Sequence, residues 1–188
     1  MKTCVLGIDY QKDFCNGPNE SYQGTLYVPG AFEDSERFRD MVKQHGHKIQ
    51  AIYLTMDSHY LYHIANPLYW RNSNGDHPAP FTLITNDDVV NGKWVPTRPT
   101  EYDHAKFYTE SLAKNGKYVL VIWPPHCLIG SQGYDISEPV YDAIKEWEEK
   151  HTTIAARVTK GSNYRTEHYS IFSADVPDAS DPSTSLNI

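Results

Sequence analysis

Four short apolar runs, separated by segments of helical periodicity, constrain the fold of this chain more than any other feature. Each run is rich in β-branched or aromatic residues and is short enough to form one buried strand. The runs are residues 4–10, 50–57, 118–124 and 152–160. The segments with apolar residues on one helix face are 31–44, 101–115 and 138–150. Strands that alternate with helices predict an α/β domain, a three-layer Rossmann-like fold with a mostly parallel sheet.

Residues at the helix ends support this assignment. Thr100 and Asp103 have the spacing of a capping box before the second helix, and Gly116 follows that helix as a stop signal. Ser137 is placed to cap the third helix, with Pro139 in its first turn.

Composition excludes several classes of protein. The 188 residues suffice for one domain with a sizeable core, so we expect a single domain over 1–188. The net charge is −7 and there is no basic block, which argues against nucleic acid as a partner. No run approaches the roughly 20 apolar residues of a membrane span, and the first residues lack a signal-peptide pattern. Three cysteines in no framework spacing favour a reduced, cytoplasmic setting.

Two regions depart from the strand–helix alternation. Residues 66–99 are rich in Asn, Gly, Pro and aromatic side chains, and they predict a long loop excursion of the kind that is often functional. The last residues form a polar Asp/Pro/Ser turn, after which the letters SLNI resemble the start of another helix.

Polar residues stand where each predicted strand ends. Asp9 ends the first strand and Asp57 the second, with His59 two residues further on. The third run leads through two prolines to His126, and the fourth ends at Lys160. In open α/β sheets, ligands bind beyond the carboxyl ends of the strands, so we expect these side chains to converge on one site.

Asp57, His59 and His126 form a ligand set suited to a divalent metal. Carboxylate and neutral imidazole bind zinc, manganese or iron, and three protein ligands leave positions open for water or substrate. The plainer alternative is a capping aspartate with surface histidines. His63 is either a fourth ligand or a solvated side chain.

Asp9 and Lys160 also allow two interpretations. A lysine buried beside a carboxylate stays charged and can hold a proton network or stabilise developing negative charge. The same pair can be a structural salt bridge.

The motifs around these residues resemble the nicotinamidase and isochorismatase-like cysteine hydrolases over essentially the whole chain. The matching stretches are GIDYQKDF (7–14), TMDSH (55–59), WPPHCLIGSQG (123–133) and TKGSN (159–163). The resemblance implies amide hydrolysis through a thioester with release of ammonia, nicotinamide being the prototype substrate, and so a place in NAD metabolism.

The resemblance also implies residue roles. Asp9 is then the general base and Lys160 the triad lysine. Asp57, His59 and His126 hold the metal, for which zinc is the first expectation and manganese or iron the alternatives. Phe14 and Trp123 match positions that pack against the substrate ring.

The sequence departs from the family at the nucleophile. In the family the reactive cysteine lies in a G-x-A-x-x-H-C pattern after a segment like DPSTSLN, and this chain ends at Ile188 without that pattern. Cys127 follows a metal-ligand histidine, Cys15 has no assigned base, and Cys4 is expected in the core, so none of them is predicted to replace it.

We therefore expect the domain to be incomplete at its C-terminal side, with an exposed interior sheet edge. Three alternatives follow: an amidase part completed by another chain, a non-catalytic metal- and ligand-binding module, or an enzyme with an unexpected nucleophile. A homo-oligomer or a complementing C-terminal chain is the expected partner.

Overall fold

The structure of the protein, a computed structural model, describes residues 3–185. Its strands are β1 Thr3–Gly7, β2 Ile49–Asp57, β3 Trp70–Arg71, β4 Leu83–Ile84, β5 Val95–Pro96, β6 Leu120–Val121 and β7 Ala156–Lys160. Its α-helices are α1 Lys12–Cys15, α2 Ala31–His45, α3 Asn86–Val90, α4 Tyr102–Lys114 and α5 Glu138–His151. Short 3-10 helices are Gly46–Lys48, Pro67–Tyr69, Pro99–Glu101, Gln132–Tyr134 and Pro182–Thr184.

The chain divides into two compact units, each made of two segments. The first unit comprises Met1–Ser58 and His126–Lys160, and the second comprises His59–Pro125 and Gly161–Ile188.

The first unit is built on a parallel three-stranded sheet. The strand order is β1–β2–β7, and both pairings are parallel. Gly7 pairs with Leu54 and Asp57 with Lys160, so the carboxyl ends of the strands lie at one edge of the sheet. This arrangement confirms the predicted α/β class with a parallel sheet.

One face of this sheet is covered by α2 and α5, which pack on the strands through apolar side chains. The buried cluster contains Phe38, Val42, Ile49, Ile52, Leu54, Val140, Ala143, Ile144, Trp147 and Ala155. These helices match the segments predicted from periodicity, because each presents its apolar stripe to the strands.

The opposite face of the sheet is exposed. Leu6 on β1 and Tyr53 on β2 are register partners, and they are 46% and 43% exposed. Cys4 lies on the same face, two residues before Leu6, and is also exposed. The prediction that Cys4 belongs to the core is therefore wrong, because no helix of the first unit covers this face in the described residues.

The second unit has a separate core. Two antiparallel pairs, β3 with β5 and β4 with β6, surround α3 and α4. The buried cluster includes Tyr69, Trp70, Ile84, Tyr108, Leu112, Leu120 and Ile122. Residues 66–99, expected as a long loop, thus contain short strands and a helix that contribute to this core.

The prediction that the run 118–124 forms a strand of the parallel sheet is wrong. Only Leu120–Val121 of the run 118–124 is a strand, and it pairs antiparallel with Leu83–Ile84 instead of joining the parallel sheet. His126 therefore does not follow a strand of that sheet.

The N-terminal ends of α4 and α5 differ from the predicted helix caps. The 3-10 helix Pro99–Glu101 precedes α4, so Thr100 lies inside it and makes no capping box with Asp103. Ser137 is the N-cap residue of α5, as expected, but its hydroxyl makes no capping hydrogen bond and instead donates to Ser35 Oγ at 3.3 Å. The predicted helix start in SLNI lies outside the described residues except for its first serine. Among the described residues, no helix has both the length and the apolar character needed to cross a membrane.

Candidate active site

Lys160 lies between two carboxylates at the carboxyl end of the parallel sheet. Its Nζ is 3.1 Å from Asp9 Oδ2 and 3.2 Å from Asp57 Oδ1. The Lys160 side chain is 4% exposed, against 23% for Asp9 and 9% for Asp57. The strand-end position of each residue brings the three together, as predicted, although the predicted salt bridge joins two aspartates instead of one.

The pKa of Lys160 is raised above its ordinary value of 10.5. Burial by itself lowers the pKa, because it disfavours the ammonium. The charges of Asp57 and Asp9 and their hydrogen bonds outweigh burial and raise it. Lys160 is therefore a fixed cation near neutral pH.

Asp9 is held in a backbone conformation that is uncommon for a non-glycine residue. Its φ is +55°, in the left-handed region. Thr55 fixes it there, because the Thr55 hydroxyl accepts from Asp9 N–H at 3.0 Å and donates to Asp9 Oδ1 at 2.5 Å. Strained backbone of this kind clusters at functional sites.

Asp57 is anchored through its backbone by Gln11. The Gln11 side-chain amide donates to Asp57 O at 2.8 Å and accepts from Asp57 N–H at 2.7 Å. The Asp57 carboxylate lies 3.6 Å from His126 Nε2, and both side chains are buried. The ring of Phe14 contacts the His126 ring edge-on, with centroids 5.4 Å apart.

The two cysteines nearest to this cluster are buried. Cys127 is fully buried, its φ is +46°, and its backbone N–H donates to Asp13 Oδ2 at 2.6 Å. Burial, and then the charge of Asp57, hold the pKa of the Cys127 thiol far above its usual range. Burial, followed by the charges of Asp34 and Asp9, raises the pKa of Cys15 to about 12. Both thiols are therefore protonated near neutral pH, in line with the expectation that neither is the nucleophile.

A cavity of about 510 Å³ opens beside Asp9 within the first unit. Phe14 and Cys15 from α1 line it, together with exposed apolar side chains such as Ile8 and Val28. This volume lies within the range of small-molecule sites.

His59 belongs to the second unit, where it neighbours His63 and Glu167. The His59 and His63 rings are 4.6 Å apart, and His59 Nε2 lies 4.0 Å from Glu167 Oε1. All three side chains are buried. The expectation of a solvated His63 is therefore wrong, because its ring is packed inside this unit.

Trp123, predicted to contact a substrate ring, is half-buried in the second unit. Its indole N–H donates to the Tyr169 hydroxyl at 2.9 Å, and Phe81 packs edge-on against it. The structure thus places Trp123 in an aromatic cluster with Phe81, Tyr169 and Tyr118.

The residues present fit a divalent cation. Asp57 and His126 bring a carboxylate oxygen and an imidazole nitrogen together in a buried setting, and these are the donor types that zinc accepts. The Asp57 carboxylate also contacts Lys160, so a cation and the ammonium would share its two oxygens.

Several residues of the cluster were not found from the sequence. Thr55 could have been found from the sequence pattern. It lies two residues before Asp57 on β2, so the two residues face the same side of the sheet. Gln11 and Asp13 lie in the matching stretch 7–14 but were given no role, because their hydrogen bonds join α1 and the residue before it to distant parts of the chain. Glu167 was not singled out either, because it lies far along the chain from His59 and His63, which it neighbours in the fold.

Comparison with solved structures shows that nicotinamidases have the same fold. The yeast nicotinamidase Pnc1p bound to the inhibitor nicotinaldehyde superposes with a TM-score of 0.60 and 22% identity over 93% of this chain. Another structure of the yeast enzyme superposes with a TM-score of 0.59 and 23% identity over 93% of this chain. For an Acinetobacter baumanii nicotinamidase/pyrazinamidase the TM-score is 0.52 and the identity is 19% over 91% of this chain. The resemblance predicted from the motifs is thereby confirmed at the level of the fold.

This chain spans only part of the length of these proteins. It covers 63% of each yeast structure and 57% of the Acinetobacter one. No protein-family model matches the sequence, and no curated protein matches it.

Proposed function

We propose that this chain carries the metal-assisted Asp–Lys half of an amidase site that hydrolyses a small amide such as nicotinamide. One observation carries the proposal: Lys160 bridges Asp9 and Asp57 in a buried cluster at the carboxyl end of the parallel sheet, with His126 beside Asp57. The nicotinamidases that share the fold support this choice of reaction.

In this proposal Asp9 and Lys160 act together. Asp9 accepts the proton of an attacking thiol, and Lys160 pairs with Asp9 and stabilises negative charge that develops on the substrate oxygen. Thr55 orients the carboxylate of Asp9, since it binds both the backbone N–H and Oδ1 of that residue.

We assign Asp57, His126 and His59 as ligands of a divalent cation. His59 follows Asp57 by two residues in the chain. Zinc is our first assignment, and manganese or iron would accept the same donors. When bound, the cation supplies a Lewis acid that orients a substrate heteroatom.

Two aromatic residues are proposed to pack against the substrate. Phe14 lines the cavity beside Asp9 and contacts the His126 ring, which suits a flat heteroaromatic amide. Trp123 is proposed for the same role from the sequence motif, with its ring oriented by Tyr169 and Phe81.

The nucleophilic thiol is proposed to come from outside these 188 residues. Cys15 and Cys127 are buried and protonated near neutral pH, and Cys4 lies two residues before Leu6, near the amino end of β1. Asp9, by contrast, lies beyond the carboxyl end of that strand. A complementing chain would then supply the cysteine.

Binding and turnover test the proposal separately. The purified chain is loaded with zinc and titrated with nicotinamide by calorimetry, and ammonia release is measured in parallel. We expect nicotinamide to bind the zinc-loaded chain, His126→Ala to weaken that binding at least about tenfold, and ammonia release to be absent. Failure of nicotinamide and related small amides to bind in any metal state would overturn the proposal.

A non-catalytic binding module is the second candidate, favoured by the same burial of Cys15 and Cys127. Co-expression with a neighbouring coding segment that carries a G-x-A-x-x-H-C pattern distinguishes the two. Ammonia release that needs both chains and disappears in Lys160→Met supports the amidase. Binding without turnover in the joint complex supports the module.

A further inference from the structure

A second cavity of the first unit lies between the edge strand β7 and the start of α5. Its volume is about 470 Å³, which is within the range of small-molecule sites. Met56 on β2, Arg157 on β7 and Tyr141 on α5 line it, together with Lys12 at the start of α1 and residues 134–136 of the segment that leads into α5.

This cavity is separate from the candidate active site. Arg157 is the register partner of Leu54, which belongs to the buried cluster that α2 and α5 cover. Side chains alternate between the two faces of a sheet, so Lys160, three residues after Arg157, lies on the opposite face. Met56 and Asp57 are neighbours on β2 and are divided between the faces in the same way. The cavity therefore opens on the helix-covered side of the sheet.

One wall of the cavity is held in place by backbone hydrogen bonds. The Lys12 N–H donates to Asp135 O at 2.8 Å, and the Ser137 N–H donates to Tyr10 O at 2.9 Å. These bonds fix the segment before α5 against the residues that precede and begin α1. Because the wall is already ordered, a ligand would bind without first ordering the chain.

Positive charge lies deeper in this cavity than negative charge. Lys12 Nζ pairs with Glu138 Oε1 at 2.8 Å, and the Lys12 side chain is 14% exposed against 56% for Glu138. Asp135, the other acid of the lining, is also exposed. An ammonium has three N–H donors, of which this pair uses one. The cavity therefore favours an anion inside, while the acids at its rim disfavour a second negative charge on the ligand.

Arg157 offers donors that the described residues do not use. Its Nη1 donates to Glu148 Oε1 at 3.0 Å and to Ala155 O at 2.7 Å. Both bonds involve the same nitrogen, so within residues 3–185 the Nε–H and Nη2–H groups remain for a ligand. These two groups form one planar edge of the guanidinium, which matches the two oxygens of a carboxylate.

The rest of the lining is apolar and aromatic. Met56 is buried, Ile136 is partly buried, and Tyr141 is 50% exposed. The half-buried Tyr134 is oriented by its hydroxyl, which lies 3.2 Å from Ser58 Oγ. Aromatic side chains of this kind pack well against a flat ring.

We propose that this cavity binds a small aromatic monocarboxylate. The carboxylate binds Arg157 and Lys12, and the ring packs against Tyr134 and Tyr141. The site goes beyond the proposed function, since none of these residues has a part in the proposed amide hydrolysis.

The metal-free chain tests the proposal with a matched pair of probes. Calorimetry measures the affinity for 2-naphthoate and for 2-naphthamide, which has nearly the same shape but no charge. We expect naphthoate to bind at least about tenfold more tightly than the amide. In Arg157→Gln the affinity for naphthoate should fall at least about tenfold, towards that of the amide. In Tyr141→Ala the affinities for both probes should fall by a similar factor.

Two further variants serve as controls. Arg39→Gln makes the same change on α2, where Arg39 pairs with Glu36 and Asp40 outside this cavity. Phe14→Ala changes the lining of the cavity beside Asp9. We expect both variants to bind naphthoate as the wild type does.

The remaining outcomes would overturn the proposal. These are an absence of naphthoate binding, equal affinities for the acid and the amide, and equal losses in Arg157→Gln and Arg39→Gln. A loss in Phe14→Ala with none in Arg157→Gln would assign the acid to the other cavity. None of these results bears on the proposed amidase site, which is tested by nicotinamide binding to the zinc-loaded chain.

Discussion

At the scale of the residue, we expect the two ion pairs of Lys160 to contribute to stability. In Lys160→Met, Asp9 and Asp57 would face each other without a cation in a mostly buried site. Removing one partner of a buried ion pair costs about 3–5 kcal/mol. We expect a loss of that order in the free energy of unfolding, measured by urea denaturation at pH 7.

A lysine on the surface provides the control for this variant. Lys114 pairs with Glu110 and is 70% exposed. Lys114→Met should change the free energy of unfolding by no more than about 0.5 kcal/mol. Equal losses in the two variants would contradict a special role for Lys160.

The same ion pairs predict how stability depends on pH. Because the folded pKa of Lys160 is raised above 10.5, its contribution is fully present below about pH 10.5 and is lost as the pH rises through the folded value. The stability gap between wild type and Lys160→Met should therefore shrink above pH 10.5. The prediction concerns the difference in unfolding free energy between the two proteins. Burial also raises the pKa of tyrosines such as Tyr69, so the unfolding free energy of both proteins falls at high pH. A gap that stays constant to pH 12 would contradict the expectation.

Thiol reactivity gives a second prediction at this scale. Cys4 is exposed, whereas Cys15 and Cys127 are buried with raised pKa values. With Ellman's reagent at pH 8, we expect a single thiol to react quickly in the native chain and three in guanidinium chloride. Cys4→Ser should abolish the fast reaction. Fast reaction of a thiol in that variant would reopen Cys15 or Cys127 as a nucleophile.

The residues at strand ends were predictable because their position follows from a local pattern. Asp9, Asp57 and Lys160 each end an apolar run, and parallel strands bring such ends together. The contacts of Glu167 and Asp13 were not predictable, since they join atoms that only tertiary folding brings close. The exposure of Cys4 was missed because an apolar strand indicates that residues are buried but does not show which face of the sheet is covered.

At the scale of the element, the packing of α5 on the sheet carries much of the stability of the first unit. Ile144 is fully buried in the cluster that α2 and α5 form over the strands. Ile144→Ala should cost about 2–5 kcal/mol of unfolding free energy in urea denaturation. The neighbouring exposed Lys145, changed to Ala, should have an effect within about 0.5 kcal/mol. A small effect of Ile144→Ala would mean that the helix does not pack as described.

The elements that sequence predicted well are those with strong periodicity. The three long helices agree with the predicted segments to within a few residues, because the apolar stripe of a helix can be recognised from its own sequence alone. The strand predicted over 118–124 was assigned to the wrong sheet, because strand pairing depends on a distant segment. A short apolar run looks the same whether it joins a parallel sheet or, as Leu120–Val121 does, pairs antiparallel with a distant segment.

At the scale of the whole molecule, the exposed face of the parallel sheet needs a covering element. Purely parallel sheets are found almost only with both faces covered. Here Leu6, Ile8 and Tyr53 are 46%, 62% and 43% exposed. This exposure supports the proposal of a partner, either a second copy or a complementing chain.

The last prediction follows from this face. We expect the chain to self-associate, or to co-purify with another polypeptide, when it is measured by light scattering coupled to size-exclusion chromatography. Tyr53→Lys should weaken that association by about 2 kcal/mol, or roughly thirtyfold in Kd, because a central tyrosine is a typical interface anchor. Tyr141→Lys is the control, since Tyr141 is 50% exposed on α5, on the covered side of the sheet. A monomer that stays alone at high concentration would contradict the proposal, and so would equal effects of the two substitutions.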